Sequence, residues 1–162
     1  MKAFAFIRTI FFGFLFISLW TWWVPRWMGW PMHVVHPEAW AVFGIGLGLS
    51  LWCALEFAFR GLGTPAPFDP PRRLVITGLY RYVRNPMYVA FAIALLGEAW
   101  LTGRVEILYL LLVLWVAVTV LVMAFEEPTL RRKFGEDYID YCRHVRRWIP
   151  RLRPFDKAPH AA

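Results

Sequence analysis

The stretch Ile107-Leu-Tyr-Leu-Leu-Leu-Val-Leu-Trp-Val-Ala-Val-Thr-Val-Leu-Val-Met-Ala-Phe125 decides the fold, because it carries no charged side chain over its whole length. A helix needs roughly 20 consecutive apolar residues to cross a bilayer core of about 30 Å. The stretch is close to that length and is followed at once by charged residues. It therefore predicts a membrane-spanning helix.

Further apolar blocks precede this helix and predict an integral membrane protein of the all-α class with four transmembrane helices. The first block resembles a signal peptide, but Trp20, Trp22 and Trp23 occupy the place where small residues would be needed for cleavage, so we interpret it as a retained helix. The weakest block is short and contains Glu98, yet Pro86 and Gly103 bracket it as a discrete helix. The predicted spans are residues 3–24, 40–59, 87–102 and 107–125.

The composition agrees with one membrane domain over residues 1–162. Hydrophobic residues make up 59% of the chain, above the roughly 45–50% typical of soluble domains, and this excludes a disordered chain. We predict disorder only for the tail at 153–162. The two cysteines, Cys53 and Cys142, lie too far apart in sequence to indicate a CxxC metal pair or a disulfide framework.

The net charge of +7 is explained by membrane orientation rather than by nucleic-acid binding, since the apolar residues come in long blocks. With the N-terminus inside, all basic residues except Arg26 and Arg104 fall on the cytoplasmic side. This asymmetry predicts cytoplasmic termini and cytoplasmic polar segments. A bacterial inner membrane is our expectation for the location, although the charge asymmetry itself gives only the orientation.

The first polar segment with chemical interest runs from Gly78 to Tyr88 and brings arginines to a helix start. Asn85 suits the N-cap and Pro86 the first helical position, so unpaired amides should face the cytoplasmic boundary. Arg81 and Arg84 beside that helix end predict an anion site. The alternative is that both arginines anchor the helix to lipid headgroups.

The second such segment begins with Glu126 and Glu127 at the end of the last span. Carboxylates at a helix C-terminus oppose the macrodipole, so a cation should compensate them. Either a cationic ligand or a salt bridge to Arg81 or Arg84 would serve, and the residues alone leave both open.

Other polar and small residues within the spans favour structural roles. Gly44 and Gly48 form a small-xxx-small pair that predicts close helix packing, although glycine also admits a ligand to the backbone. Glu56 is spaced to pair with Arg60, and Glu98 is expected to reach water at the outer end. The two histidines of the outer loop lack a third ligand, so we predict no metal site.

The tail after the last span predicts an amphipathic cytoplasmic helix over residues 129–145. Gly135 weakens the pattern. Such a helix can cover the cytoplasmic ends of the spans or lie on the membrane surface, and periodicity does not separate these roles. Its apolar positions are Leu130, Phe134, Tyr138, Tyr141, Cys142 and Val145.

These segments together resemble the membrane-integral methyltransferases that include isoprenylcysteine carboxyl methyltransferases and phospholipid N-methyltransferases. The run from Gly78 to Tyr88 is similar to G-x-Y-x-x-x-R-[HN]-P-x-Y, and the run from Glu126 to Tyr141 is similar to E-E-x-x-L-x-x-x-F-G-x-x-Y-x-x-Y. The resemblance covers about residues 40–152. The two motifs in this order, bracketing two hydrophobic spans, make it specific.

The resemblance implies S-adenosylmethionine as cofactor at the cytoplasmic helix ends. The glutamate pair would hold its methionine ammonium, and no residue is singled out as catalytic. The G-x-G of phospholipid enzymes is matched at Gly46 and Gly48 in the second span. The residues implied to bind the cofactor are Gly46, Gly48, Tyr80, Arg84, Asn85, Tyr88, Glu126 and Glu127.

The acceptor implied by the resemblance is a lipid or lipid-linked molecule. Asn85 resembles the phospholipid enzymes, whereas Phe134 and Gly135 resemble the carboxyl methyltransferases, so a phospholipid amine and an isoprenylcysteine carboxylate both stay open. The rival interpretation is a non-catalytic membrane scaffold that binds anionic lipid headgroups or a partner protein. The oligomeric state is open as well.

Overall fold

A computed structural model describes residues 19–30, 33–56, 59–60 and 73–156, and every regular element among them is helical. The first predicted span, 3–24, lies mostly outside the described residues. A π-helical turn Leu19–Trp23 leads into α1 (Val24–Trp27), and a 3-10 turn Pro37–Ala39 leads into α2 (Trp40–Glu56). After a 3-10 turn Gly78–Arg81 come α3 (Pro86–Thr102), α4 (Val105–Leu121), a π-helical turn Val122–Glu126, α5 (Glu127–Phe134) and α6 (Glu136–His144).

Two helices of the described chain are long and apolar enough to cross a membrane, Pro37–Glu56 and Val105–Phe134. They overlap the spans predicted at 40–59 and 107–125. Helix α3 is apolar but has only 17 residues, shorter than a typical span. By length, the structure therefore supports two of the four predicted spans and a shorter third helix.

Helices α2 and α3 pack antiparallel through glycine. A Cβ atom on Gly46 would overlap the backbone of Ala94, and one on Gly97 would overlap the backbone of Phe43. The prediction that Gly44 and Gly48 form the packing surface is wrong for the helices described here, because both are exposed and a Cβ on either would meet no described atom within 4 Å. Small residues do bring the helices together, but on the face that contains Gly46.

The ends of α3 follow the sequence signals, with one difference. Pro86 occupies the first turn, and Gly103 ends the helix in the left-handed conformation at φ 64°, as glycine does at a helix C-terminus. Asn85 stands at the N-cap, but its side chain makes no capping hydrogen bond. Asn85 thus occupies the predicted N-cap position, but the predicted capping hydrogen bond is absent, because its side-chain amide donates to the carbonyl of Arg147 instead.

The predicted amphipathic helix at 129–145 is divided at Gly135 into α5 and α6. Gly135 has a φ of 52°, and this positive value interrupts the helix. Residues other than glycine adopt such a backbone angle only with strain. The apolar residues of both helices still form one cluster, in which Tyr138, Tyr141 and Val145 are buried with Phe155.

The chain after α6 packs back onto the segment before α3. Phe155 is buried, its amide donates to the carbonyl of Arg81, and the Arg81 guanidinium pairs with Asp156. The prediction of a disordered tail from residue 153 is therefore wrong for 153–156, and residues 157–162 lie outside the described part of the chain.

Two acidic residues within the helices differ in their surroundings. Glu56 pairs with Arg60 at 2.9 Å, as predicted, and also accepts a hydrogen bond from Thr77 at 2.6 Å. The expectation that Glu98 reaches water is wrong. Its side chain is 2% exposed, and neither carboxyl oxygen has a hydrogen-bond partner among the described residues.

Candidate functional site

The start of α3, the start of α5 and the segment after α6 meet in a charged cluster, defined here as Arg84, Glu127 and Arg147. Arg84 Nη1 lies 3.0 Å from Glu127 Oε1, while Arg147 Nε and Nη2 lie 2.7 and 3.0 Å from the two carboxylate oxygens. The Arg147 fork is thus bidentate, which is the strongest geometry for such a pair. Hydrogen bonding to Glu127 raises the pKa of Arg147.

Backbone hydrogen bonds hold the segment after α6 against the start of α3. The Arg84 amide donates to the carbonyl of Arg146 at 2.9 Å, and the Arg151 amide donates to the carbonyl of Tyr82 at 3.0 Å. A side-chain bond adds to these, because Asn85 Nδ2 donates to the backbone carbonyl of Arg147 at 3.3 Å. Asn85 therefore positions the chain that carries Arg147.

Arg84 has donor capacity beyond its ion pair. Nη1 also lies 2.9 Å from Cys142 Sγ, whereas Nε is buried without a hydrogen-bond partner among the described residues. A guanidinium carries five N–H donors, so this side chain can donate a hydrogen bond to a further anionic or carbonyl group.

Glu126 is held differently from its neighbour Glu127. Its Oε1 accepts a hydrogen bond from the Tyr88 hydroxyl at 2.6 Å, and no described cationic side chain lies within ion-pair distance of it. The carboxylate is half-buried. A partly desolvated carboxylate with only a neutral donor favours a cationic ligand.

Tyr80 is buried in a small apolar cluster with Cys53 and Val75, and burial together with nearby charges, that of Glu126 among them, raises the pKa of its phenol. Its carbonyl accepts a hydrogen bond from the Tyr141 hydroxyl at 2.6 Å. Burial raises the pKa of Tyr141, so the phenol stays a neutral donor. This contact ties α6 to the 3-10 turn before α3.

A shallow apolar groove lies between α3 and α4. Its lining includes Tyr88, Phe91 and Ala92 from α3, with Leu111 and Trp115 from α4. Tyr88 thus has its ring on the groove and its hydroxyl on Glu126.

Trp148, in the segment after α6, packs against two residues of the groove lining. Its ring lies 4.6 Å from the ring of Trp115 and 6.4 Å from that of Tyr88, measured between centroids. Both distances fall within the range of interacting aromatic pairs.

The structure brings five of the eight predicted cofactor residues together, and their binding role stays a prediction. These are Arg84, Asn85, Tyr88, Glu126 and Glu127. Gly46 packs on the α3 backbone, Gly48 is exposed, and Tyr80 contributes its carbonyl to Tyr141.

The sequence analysis missed Arg147 and Trp148. Both follow the predicted tail helix among several other arginines, and no spacing distinguishes them. The only available signal was charge balance, because the adjacent glutamates require more than one nearby cation.

Arg81 does not join the charged cluster, since it pairs with Asp156 and donates from Nε to the carbonyl of Phe155 at 3.2 Å. Of the two arginines considered as partners of the glutamates, only Arg84 takes that role. Across the described ranges, no three His, Cys, Asp or Glu side chains form a group that could hold a metal ion.

Residues 35–137 match the family described as phospholipid methyltransferase. This region contains both motifs except the last residues of the second, and it covers more than half of the 162 residues. The chain belongs to the phospholipid methyltransferase family. Arg147, which completes the charged cluster, and Trp148 lie beyond the matched region of this phospholipid methyltransferase family member.

Several curated proteins are similar to this family member. The nickel-cobalt-cadmium resistance protein NccN of Alcaligenes xylosoxydans xylosoxydans is 30% identical over 65% of this chain and 45% of its own length. Protein-S-isoprenylcysteine O-methyltransferase of Schizosaccharomyces pombe is 41% identical over 48% of this chain and 33% of its own length. Methanethiol S-methyltransferase of Pseudomonas deceptionensis is 28% identical over 78% of this chain and 44% of its own length.

The chain therefore spans less than half the length of each of these relatives. No solved structure matches it.

Proposed function

We propose that this protein is a membrane-integral methyltransferase that uses S-adenosylmethionine and transfers its methyl group to a lipophilic acceptor. The observation that carries the proposal is that each motif supplies one charged side chain whose hydrogen bonding is incomplete. One is the carboxylate of Glu126 and the other is the guanidinium of Arg84. Glu126 has a neutral donor and no described cation, while Arg84 has a buried Nε without a described partner.

These residues fit the amino-acid end of the cofactor, which carries one ammonium and one carboxylate. Glu126 would hold the ammonium, and Arg84 would hold the carboxylate near the start of α3, where helix amides favour an anion. Glu127 already has two guanidinium partners, so its role in the proposal is to fix Arg84 and Arg147 in place. This revises the expectation that both glutamates hold the ammonium.

When bound, the cofactor supplies a methyl group already activated by its sulfonium. The protein then has to align the acceptor and exclude water. Tyr88 suits this task because its ring lies on the apolar groove while its hydroxyl bonds to Glu126. If the acceptor is an amine, the hydrogen-bonded Tyr88 hydroxyl and Glu126 Oε1 offer an acceptor for its proton, whereas a carboxylate needs none.

The acceptor class rests on the groove and on two relatives. One relative is named for isoprenylcysteine and another for methanethiol, so the family methylates acceptors of different size. An apolar groove beside the charged cluster supports an acceptor with an apolar body and a polar, nucleophilic head. Cytoplasmic termini, a cytoplasmic cofactor site and a bacterial inner membrane complete the proposal.

The scaffold interpretation draws less support. It uses Arg81 and Arg84 to bind lipid headgroups, yet the Arg81 guanidinium is engaged within the chain by Asp156 and by the carbonyl of Phe155. A headgroup would have to displace these partners.

The test is calorimetric titration of S-adenosylmethionine and S-adenosylhomocysteine into purified protein in detergent. We expect saturable binding that Glu126→Gln weakens at least about tenfold, since a charge-assisted bond of about 1.5 kcal/mol or more is lost. Glu136→Gln, at an exposed acidic residue at the start of α6, is the matched control and should bind normally. Equal affinity in wild type and Glu126→Gln would contradict the proposed site, and no binding to folded wild type would contradict the proposed cofactor.

A further inference from the structure

The apolar groove and the charged cluster are adjacent but chemically opposite environments. A lipophilic acceptor has to keep its apolar body in the first while its head reaches the second. The side chains at their junction therefore control the approach of the acceptor. Those described there are Tyr88, Trp115 and Trp148.

We propose that Trp148 is a gate between the groove and the charged cluster, and thus a positioning residue for the acceptor. The proposal rests on the proposed function for the identity of the passing molecule. Tyr88 and Trp115 belong to the two helices that form the groove walls, whereas Trp148 comes from the segment after α6. Its indole packs against the rings of both wall residues.

The backbone on one side of Trp148 is fixed by the site. Arg147 bonds Glu127 through two nitrogens, and its carbonyl accepts from Asn85. On the other side, the next backbone bond to the start of α3 is made by Arg151. Ile149 and Pro150 between these attachments are exposed. In the proposal, the gate opens when the indole turns away there while the bonds of Arg147 stay in place.

The chemistry of an indole suits this position. Its apolar face matches the groove and its N–H tolerates the polar side, so a closed ring separates bilayer from charged groups at little desolvation cost. When the Trp148 indole packs on Tyr88 and Trp115, the gate is closed and keeps water and ions away from the groove side of Glu126. When the indole turns away, the gate is open and the head of the acceptor can pass.

The experiment measures access to the groove without requiring methyl transfer. Ala92→Cys places a thiol in the groove wall of protein reconstituted in lipid nanodiscs. Labelling of the position-92 peptide by a charged, water-soluble methanethiosulfonate and by a lipophilic maleimide is followed by mass spectrometry. With Trp148 present, we expect the maleimide to react and the charged reagent to react slowly.

Adding Trp148→Ala should raise labelling by the charged reagent toward the rate of an exposed cysteine introduced by Glu136→Cys. Trp148→Phe should keep it slow, because a ring still fills the junction. Trp100→Ala, at an exposed tryptophan of α3, is the matched control and should change nothing. Native Cys53, which is fully buried, reports unfolding in each variant by becoming labelled.

Two results would overturn the gate. One is rapid labelling of the Ala92→Cys thiol by the charged reagent with Trp148 in place, and the other is unchanged slow labelling after Trp148→Ala with Cys53 still protected. If Trp148→Ala exposes Cys53, Trp148→Leu serves as the opening variant under the same criteria. S-adenosylhomocysteine binding by the same samples tests the proposed function separately, because a functional cofactor site can exist with or without a gate.

Discussion

The α2–α3 interface and the charged cluster hold the same helix, α3, by different means. At the interface, Gly46 and Gly97 let two backbones touch, so the contact depends on shape. At the charged cluster, Glu127 holds two guanidiniums, so the contact depends on charge. Substitutions can therefore separate the stability of the fold from the organisation of the site.

The largest effect is expected at the interface. Gly97→Val places a branched side chain on the backbone of Phe43, which cannot move aside as a side chain would. Overpacking of this kind costs about 3 kcal/mol or more, so we expect little folded protein after detergent extraction. Gly44→Val is the matched control, because no described atom lies within 4 Å of the place its Cβ would take. Equal yields of monodisperse protein by size-exclusion chromatography would contradict a shape-dependent interface.

A smaller effect is expected when the charged cluster is broken. Glu127→Gln leaves Arg84 and Arg147 without their carboxylate, and we expect a loss of about 2 kcal/mol, because removal of one partner is costly while remaining exposure of Arg147 moderates it. Thermal unfolding in detergent measures the change. Glu106→Gln, which breaks a more exposed pair with Arg104 at 3.4 Å, should shift the midpoint much less. Equal shifts in the two variants would show that the cluster is not a major source of stability.

The contact between α6 and the 3-10 turn should contribute less to the free energy of unfolding than the charged cluster does. Tyr141→Phe removes the hydroxyl that bonds the Tyr80 carbonyl and leaves that buried acceptor unpaired, a loss of about 1 kcal/mol. The thermal midpoint should fall slightly and S-adenosylhomocysteine affinity should change little. A large loss of affinity would instead place Tyr80 in direct contact with the cofactor, as the sequence resemblance implied.

The smallest effect is expected at Glu98, a buried carboxyl with no described hydrogen-bond partner. Glu98→Leu removes a polar group that lacks compensation, so the thermal midpoint should stay the same or rise. A fall as large as that of Glu127→Gln would reveal a partner for Glu98 and remove the contrast between the two carboxylates.

Part of this architecture could be predicted from the sequence, because charge and helix-end signals are local. The contact between Glu56 and Arg60 follows from their spacing, and the end of α3 follows from Gly103. The meeting of Arg84 with Glu127 was one of two open alternatives, since both lie at helix ends on the same predicted side. Local signals sufficed wherever one helix or one turn decided the outcome.

The rest depends on which helix faces meet, and a single sequence does not encode that directly. Three alternating glycines share α2, and only contact with α3 distinguishes Gly46 from Gly44 and Gly48. Arg147 was missed for the same reason, because the fold-back after α6 is made by backbone hydrogen bonds that carry no side-chain pattern. These are tertiary choices among locally equivalent residues.

The π-helical turn Val122–Glu126 gives the long helix one place where a change of length can be absorbed. Such a turn holds one residue more than the α-helical turn it replaces, and each residue of an α-helix advances by about 100°. Deleting a single residue of the turn, such as Ala124, would therefore restore an unbroken α-helix and leave everything beyond it near its present angular position. Deleting a residue from the α-helical part before the turn would instead rotate Glu126 and Glu127 by about 100° and separate both carboxylates from their present partners.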